Sequence, residues 1–162
     1  MQTDKWTIKA QGALAGMQQE AQSRRHQEMD LEHLLLALLN QPESLVLPVM
    51  KQIGAEPSLI RHDLDEALKK RSTVEGSDEQ YSSRALSAAL QEAQQEATRL
   101  KDEYVSTEHL LLALVAKAES SLQQMLKARG VHREDVLKAL MALRGSQRVT
   151  DQHPEDKFQA LE

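Results

Sequence analysis

Six histidines, at positions 26, 33, 62, 109, 132 and 153, and 25 acidic residues are the groups in this 162-residue chain that could hold a metal or move a proton. Either chemistry needs several of them converging at a set spacing, as in the His-Glu-x-x-His helix that binds zinc. No such pair occurs. Cysteine is absent, which removes thiolate ligands, thiol nucleophiles and disulfides. The six glycines are scattered rather than gathered into a phosphate-cradling loop, and no nucleophile elbow is present. His33 and His109 are notable because each directly precedes an apolar run; a first-turn packing or surface role accounts for both. The chain therefore reads as a non-enzyme with no cofactor or metal of its own.

Composition narrows the partners. The formal charge is −5, with 20 basic and 25 acidic residues mixed along the chain. This is not the basic footprint of a nucleic-acid binder. The first residues are polar, and the apolar run at 34–39 is far too short to cross a bilayer. No membrane role is expected, and a cytoplasmic setting fits the missing cysteines. Hydrophobic residues make up 40% but aromatics only 2%. The core must come from Leu, Ala, Ile, Val and Met, and the first two favour helices.

The elements that would position any site follow from a repeat. Glu32-His33-Leu34-Leu35-Leu36-Ala37-Leu38 recurs letter for letter from Glu108 to Leu114, a shift of 76 (108 − 32). The same ungapped shift aligns Ala13 with Ala89, Leu14 with Leu90, Gly54 with Gly130 and Leu64 with Leu140. Each copy reads as four helices, so the expected class is all-α: two pseudo-twofold-related four-helix repeats packed as one domain.

In the first copy Ala10, Leu14, Met17 and Ala21 form one helical stripe. Asp30 caps the next helix, which is apolar over much of its circumference. Leu45, Val49 and Ile53 stripe a third helix, with Pro48 predicting a kink or a late start. Gly54 ends it, and Pro57 opens a fourth carrying Ile60, Leu64 and Leu68. In the second copy Ser82 or Ser83 starts a helix striped by Leu86, Leu90, Ala93 and Ala97. Ser106 takes the place of Asp30. Leu122, Met125 and Leu126, then Val136, Leu140 and Leu143, face inward, and Gly145 closes the last helix. The domain is expected over 1–145, with one repeat over about 3–71, a polar linker over 72–80 that buries little, and a second repeat over about 81–145. Residues 146–162 read as a connector. Trp6, the sole tryptophan, reads either as a cover for one core edge or as the flank of a binding surface.

Three stretches carry a family resemblance: Trp6-Thr7 with Ala10-Gln11-x-Ala13-Leu14, the twin Glu-His-Leu-Leu-Leu-Ala-Leu blocks, and the run from Leu100 to His109. On these the chain resembles the Clp N-domain family, and the segment from Arg144 to Asp151 with Pro154 to Glu162 is similar to that of its ClpB-type disaggregase branch. The resemblance implies a substrate-recognition domain of an ATP-driven, hexameric disaggregase that works with a DnaK-type chaperone. ATP and magnesium would belong to ATPase modules outside this chain, which itself is expected to be a monomer.

The implied ligands are exposed apolar segments of unfolded or aggregated polypeptides, met in a groove near the starts of the first and sixth helices. The family's polar positions there fall on Thr7, Asp102 and Glu108. Thr7 and Glu108 would fix helix termini and offer hydrogen bonds to substrate backbone, and Asp102 would hold the turn. Trp6 and Val105 would supply exposed apolar atoms. Glu92 and His109 stand where some relatives are apolar, making this groove more polar. Two other readings come with the resemblance: docking of a folded adaptor protein, and a structural or regulatory role in the ring.

Overall fold

Eight helices form, among the described residues, where the repeat places them. The computed structural model describes residues 4–76, 79–145, 147–152 and 154. The first copy holds α1 (Ile8–Ser23), α2 (Leu31–Leu39), α3 (Val46–Gln52) and α4 (Pro57–Lys69). The second holds α5 (Arg84–Arg99), α6 (Thr107–Lys117), α7 (Ser120–Ala128) and α8 (Arg133–Arg144). The fold is all-α with a two-repeat, four-helix architecture.

Local chemistry sets the boundaries. Thr7 caps α1, its hydroxyl oxygen accepting the Ala10 N–H at 3.1 Å. Asp30 caps α2 and Ser83 caps α5. Gly54 and Gly130 end α3 and α7 with φ near 80° and 76°, a region that costs a side chain strain. Pro48 sits in the first turn of α3, where its missing N–H would have no intrahelical partner. The helix therefore starts late, at Val46, and its inward stripe is Val46, Val49 and Met50, while Leu45 and Ile53 are only partly buried. In α8 the inward residues are Val136, Ala139 and Leu140; Leu143, expected inside, is 37% exposed near the helix end.

The central pair is α2 and α6. Every residue of α2 is buried, as are the first eight of α6. α1 lies along α2 and α5 along α6. The copies share one core, because α2 meets α6 and α5, and α3 meets α8. Gly16 allows part of this packing: a Cβ there would stand 3.3 Å from the Ala37 Cβ.

One feature escaped the periodicity. Glu28–Met29 (β1) and Tyr81–Ser82 (β2) form a two-residue parallel pair, with Met29 opposite Ser82. Shifted by 76, the same pairing recurs as Trp6 with Val105, again parallel (82 − 6 and 105 − 29). The segment entering each copy's first helix thus pairs with the turn of the other copy. This exchange ties the halves together by main-chain bonds as well as by the core.

Candidate functional site

The exchange at Trp6 and Val105 brings the starts of α1 and α6 together. Val105 N–H donates to the Lys5 carbonyl at 2.9 Å, and Thr7 N–H donates to the Val105 carbonyl at 2.9 Å. With its amide spent on Val105 and its hydroxyl on Ala10, Thr7 fixes the terminus of α1 from both sides.

A charge cluster lies behind this edge. The side chain of Asp102 is fully buried. It accepts hydrogen bonds from His109 Nε2 at 2.7 Å, from Arg144 Nη1 at 3.0 Å and from the Val149 amide at 2.8 Å; Arg144 Nη2 completes a two-pronged contact. Burial alone would push this carboxyl up, but the hydrogen bonds from His109, Arg144 and Val149 outweigh it and hold Asp102 down at about 2. His109 is oriented by its other ring nitrogen, since Nδ1 accepts the Ser106 N–H at 2.8 Å. That bond leaves the proton on Nε2, where it faces Asp102. Glu108 is 2% exposed, with Oε2 4.0 Å from Arg144 Nη1.

The five residues singled out from sequence gather at this edge, but as its framework rather than its surface. Trp6 and Val105, expected to offer exposed apolar atoms, are 1% and 5% exposed. Their exposed apolar neighbour is Ile8, at 46%. His109 is fully buried, and Glu92 is held by Arg99 at 2.7 Å, so neither presents an open groove wall. Sequence reasoning missed Arg144 and Val149, which stand 42 and 47 residues from Asp102. No local spacing could have found them.

Copy one carries the counterpart. His33 Nδ1 accepts the Asp30 N–H at 3.0 Å, and His33 Nε2 meets His26 Nδ1 at 2.9 Å. His26 is the residue equivalent to Asp102 (102 − 76). Arg71 reaches Asp30 at 2.8 Å, Glu32 at 3.0 Å and Glu28 at 3.3 Å. No group of three or more potential ligands capable of holding a metal occurs among the described residues.

Comparison with known proteins matches residues 5–129 to the Clp repeat (R) N-terminal domain. The chaperone protein ClpB of Bacillus cereus is 34% identical over 166 residues, covering 100% of this chain and 19% of that protein. The chain thus spans about a fifth of the length of the curated relatives it matches. Among solved structures, the Hsp104 N-terminal domain from Candida albicans superposes with a TM-score of 0.82 at 22% identity, covering 94% of this chain and 99% of that one. A ClpV N-domain in complex with a VipB peptide superposes with a TM-score of 0.67 at 26% identity, covering 85% of each chain.

Proposed function

The chain belongs to the Clp N-terminal domain family, and from that premise we propose that it recognises exposed apolar segments of unfolded or aggregated polypeptides for an ATP-driven disaggregase of the ClpB type. The observation that carries this reading is the 26% identical ClpV N-domain holding a VipB peptide, which supports peptide binding as the use of this fold. The hexameric ring, its ATP and magnesium, and a cooperating DnaK-type chaperone belong to the same proposal, with the nucleotide chemistry outside this domain.

The proposed contact edge runs from residue 4 to residue 8 and along 102–108. Thr7, Asp102 and Glu108 act here by holding the helix termini in place, and Trp6 and Val105 by fixing the edge to which both are bonded. Ile8 supplies apolar area that water leaves when a greasy segment settles on it, worth about 25 cal/mol per Å². Such an edge suits varied sequences, because the attraction scales with area and not with residue order.

Fluorescence anisotropy with a labelled, carboxymethylated and permanently unfolded lactalbumin tests this. The whole chain is expected to bind it weakly, and a scrambled apolar peptide of equal composition about as well as its parent. Thr7→Ala, which removes the α1 cap at a cost of about 1 kcal/mol, and Glu108→Ala should each weaken binding while remaining folded by circular dichroism. Absence of binding by the folded wild type would overturn the reading. Selectivity for one sequence over its scramble would move it to adaptor docking.

A further inference from the structure

The segment after α8 lies across the proposed edge like a bound peptide. Val149 is fully buried. Its amide donates to Asp102 Oδ1 at 2.8 Å, and its carbonyl accepts from the Glu103 N–H at 2.8 Å and the Tyr104 N–H at 3.3 Å. Three residues on, the Gln152 carbonyl accepts the Ile8 N–H at 3.1 Å, and Gln152 Nε2 reaches the Trp6 carbonyl at 3.5 Å. The Gln147 carbonyl accepts from Arg144 Nη2 at 3.0 Å. Most of these bonds go to main chain and are indifferent to sequence. The sequence-dependent elements among them are the fully buried β-branched side chain of Val149 and the Gln152 amide. Main-chain bonds for affinity and a side-chain pocket for selection is the way protein edges take extended peptides.

Copy one has no such buried residue. The residue equivalent to Val149 is Thr73 (149 − 76), which is exposed, and the nearby covering bond is from the Val74 amide to the Arg25 carbonyl at 2.9 Å. The buried anchor residue is therefore particular to copy two. The anchor beneath it is rigid, because His109 and Arg144 both hold Asp102.

We infer that residues 4–8 and 102–105 form a receptor for an extended segment bearing a β-branched apolar residue, and that residues 147–152 fill it as an internal ligand which an incoming polypeptide displaces. The inference rests on the polypeptide-binding reading above and specifies its ligand. Self-occupancy has a quantitative consequence: apparent affinity is the intrinsic affinity reduced to the fraction of molecules whose receptor is vacant. Weakening the internal ligand must then strengthen binding of an external one. A merely structural strap would do the opposite, since its loss would loosen the edge.

The test uses the whole chain, the carboxymethylated lactalbumin probe, and a synthetic peptide spanning residues 146–152. Val149→Ser is expected to bind the lactalbumin about tenfold more tightly than wild type, following the lost burial of one Val side chain. The synthetic peptide should compete with lactalbumin for this variant, and the same peptide with serine in place of its valine should not. Hydrogen exchange on the wild type keeps the test open if the variant misfolds. Lactalbumin should speed exchange of the Val149 amide while the Glu103 and Tyr104 amides stay slow. Binding by wild type with the Val149 amide unchanged, or equal or weaker binding by folded Val149→Ser, would overturn the internal-ligand inference and leave polypeptide binding standing. No binding by either protein would overturn both.

Discussion

The two copies begin their buried helices, α2 and α6, with the same device and complete it with opposite chemistry. In each, a histidine three residues into the helix turns Nδ1 back to accept the capping residue's amide, at 3.0 Å in His33 and 2.8 Å in His109. The outward nitrogen then meets whatever stands at the equivalent place in the preceding turn. In copy one that is His26, a second buried imidazole. In copy two it is Asp102, which also takes Arg144 and the Val149 amide. The turns themselves match: Arg25 and Lys101 both have φ of 60°. One backbone thus carries a neutral ring pair or a buried ion cluster, and two equivalent positions decide which: His26 against Asp102, and Leu68 against Arg144. The difference also sets what each turn receives: copy one holds the linker through Arg25 and Val74, copy two the returning segment through Asp102 and Val149.

The largest effect should come from removing the charge in copy two. Asp102→Ala leaves buried Arg144 with only Glu108, at 4.0 Å, as a counter-charge, and breaking a buried pair in this way costs about 3–5 kcal/mol. His26→Ala removes a neutral hydrogen-bond partner and should cost about 1–3 kcal/mol. Urea unfolding of both variants checks the order; equal losses would break the contrast between the copies.

Acid should separate them next. Burial, helped by His26 and Arg71, lowers His33 from its ordinary 6.5 to about 4. Burial, with Arg71 and Arg24, lowers His26 as well. Between 6.5 and about 4 the unfolded chain takes up a proton that folded His33 refuses, so stability falls across that window as the pH drops. Asp102, ordinarily at 3.8, stays ionised in the fold down to about 2; its contribution is intact above 3.8 and is lost between 3.8 and about 2. Urea midpoints measured from pH 7 to pH 3 should fall first through the copy-one window, and Asp102→Asn should leave that first fall in place.

Converting one copy into the other is a finer test. His26→Asp puts a carboxylate opposite His33 Nε2, where it favours the protonated ring. The His33 midpoint, followed by its ring-proton shifts in NMR, should rise well above 4. An unchanged midpoint would mean that burial alone governs it. Smallest of all should be Arg25→Ala, which breaks an exposed pair with Glu75 at 2.8 Å and should change stability by about 0.5 kcal/mol or less.

The helices were legible because the chain states them twice. Glu32 to Leu38 and its copy fix two buried helices, and Asp30, Gly54, Pro57 and Gly130 punctuate the rest. The capping role of His33 was not legible, since an apolar run after a histidine says nothing about which ring nitrogen faces the backbone. The exchanged pairings are two residues or fewer, too short for a period-two pattern to register. Thr7, Asp102 and Glu108 could be singled out through family resemblance, but the partners that hold Asp102 include Arg144 and Val149, which only the return of the chain brings near. Trp6 could be read as either core cover or surface flank; at 1% exposure it covers the core at the edge itself.

The most direct test of the functional account is an amide-resolved NMR titration of the whole chain with carboxymethylated lactalbumin, comparing the two exchanged edges. The account predicts shifts clustered at residues 4–8, 102–105 and 149, with the equivalent copy-one edge at 26–29 and 80–84 unmoved. Equal shifts at both edges, or shifts confined to copy one, would contradict it.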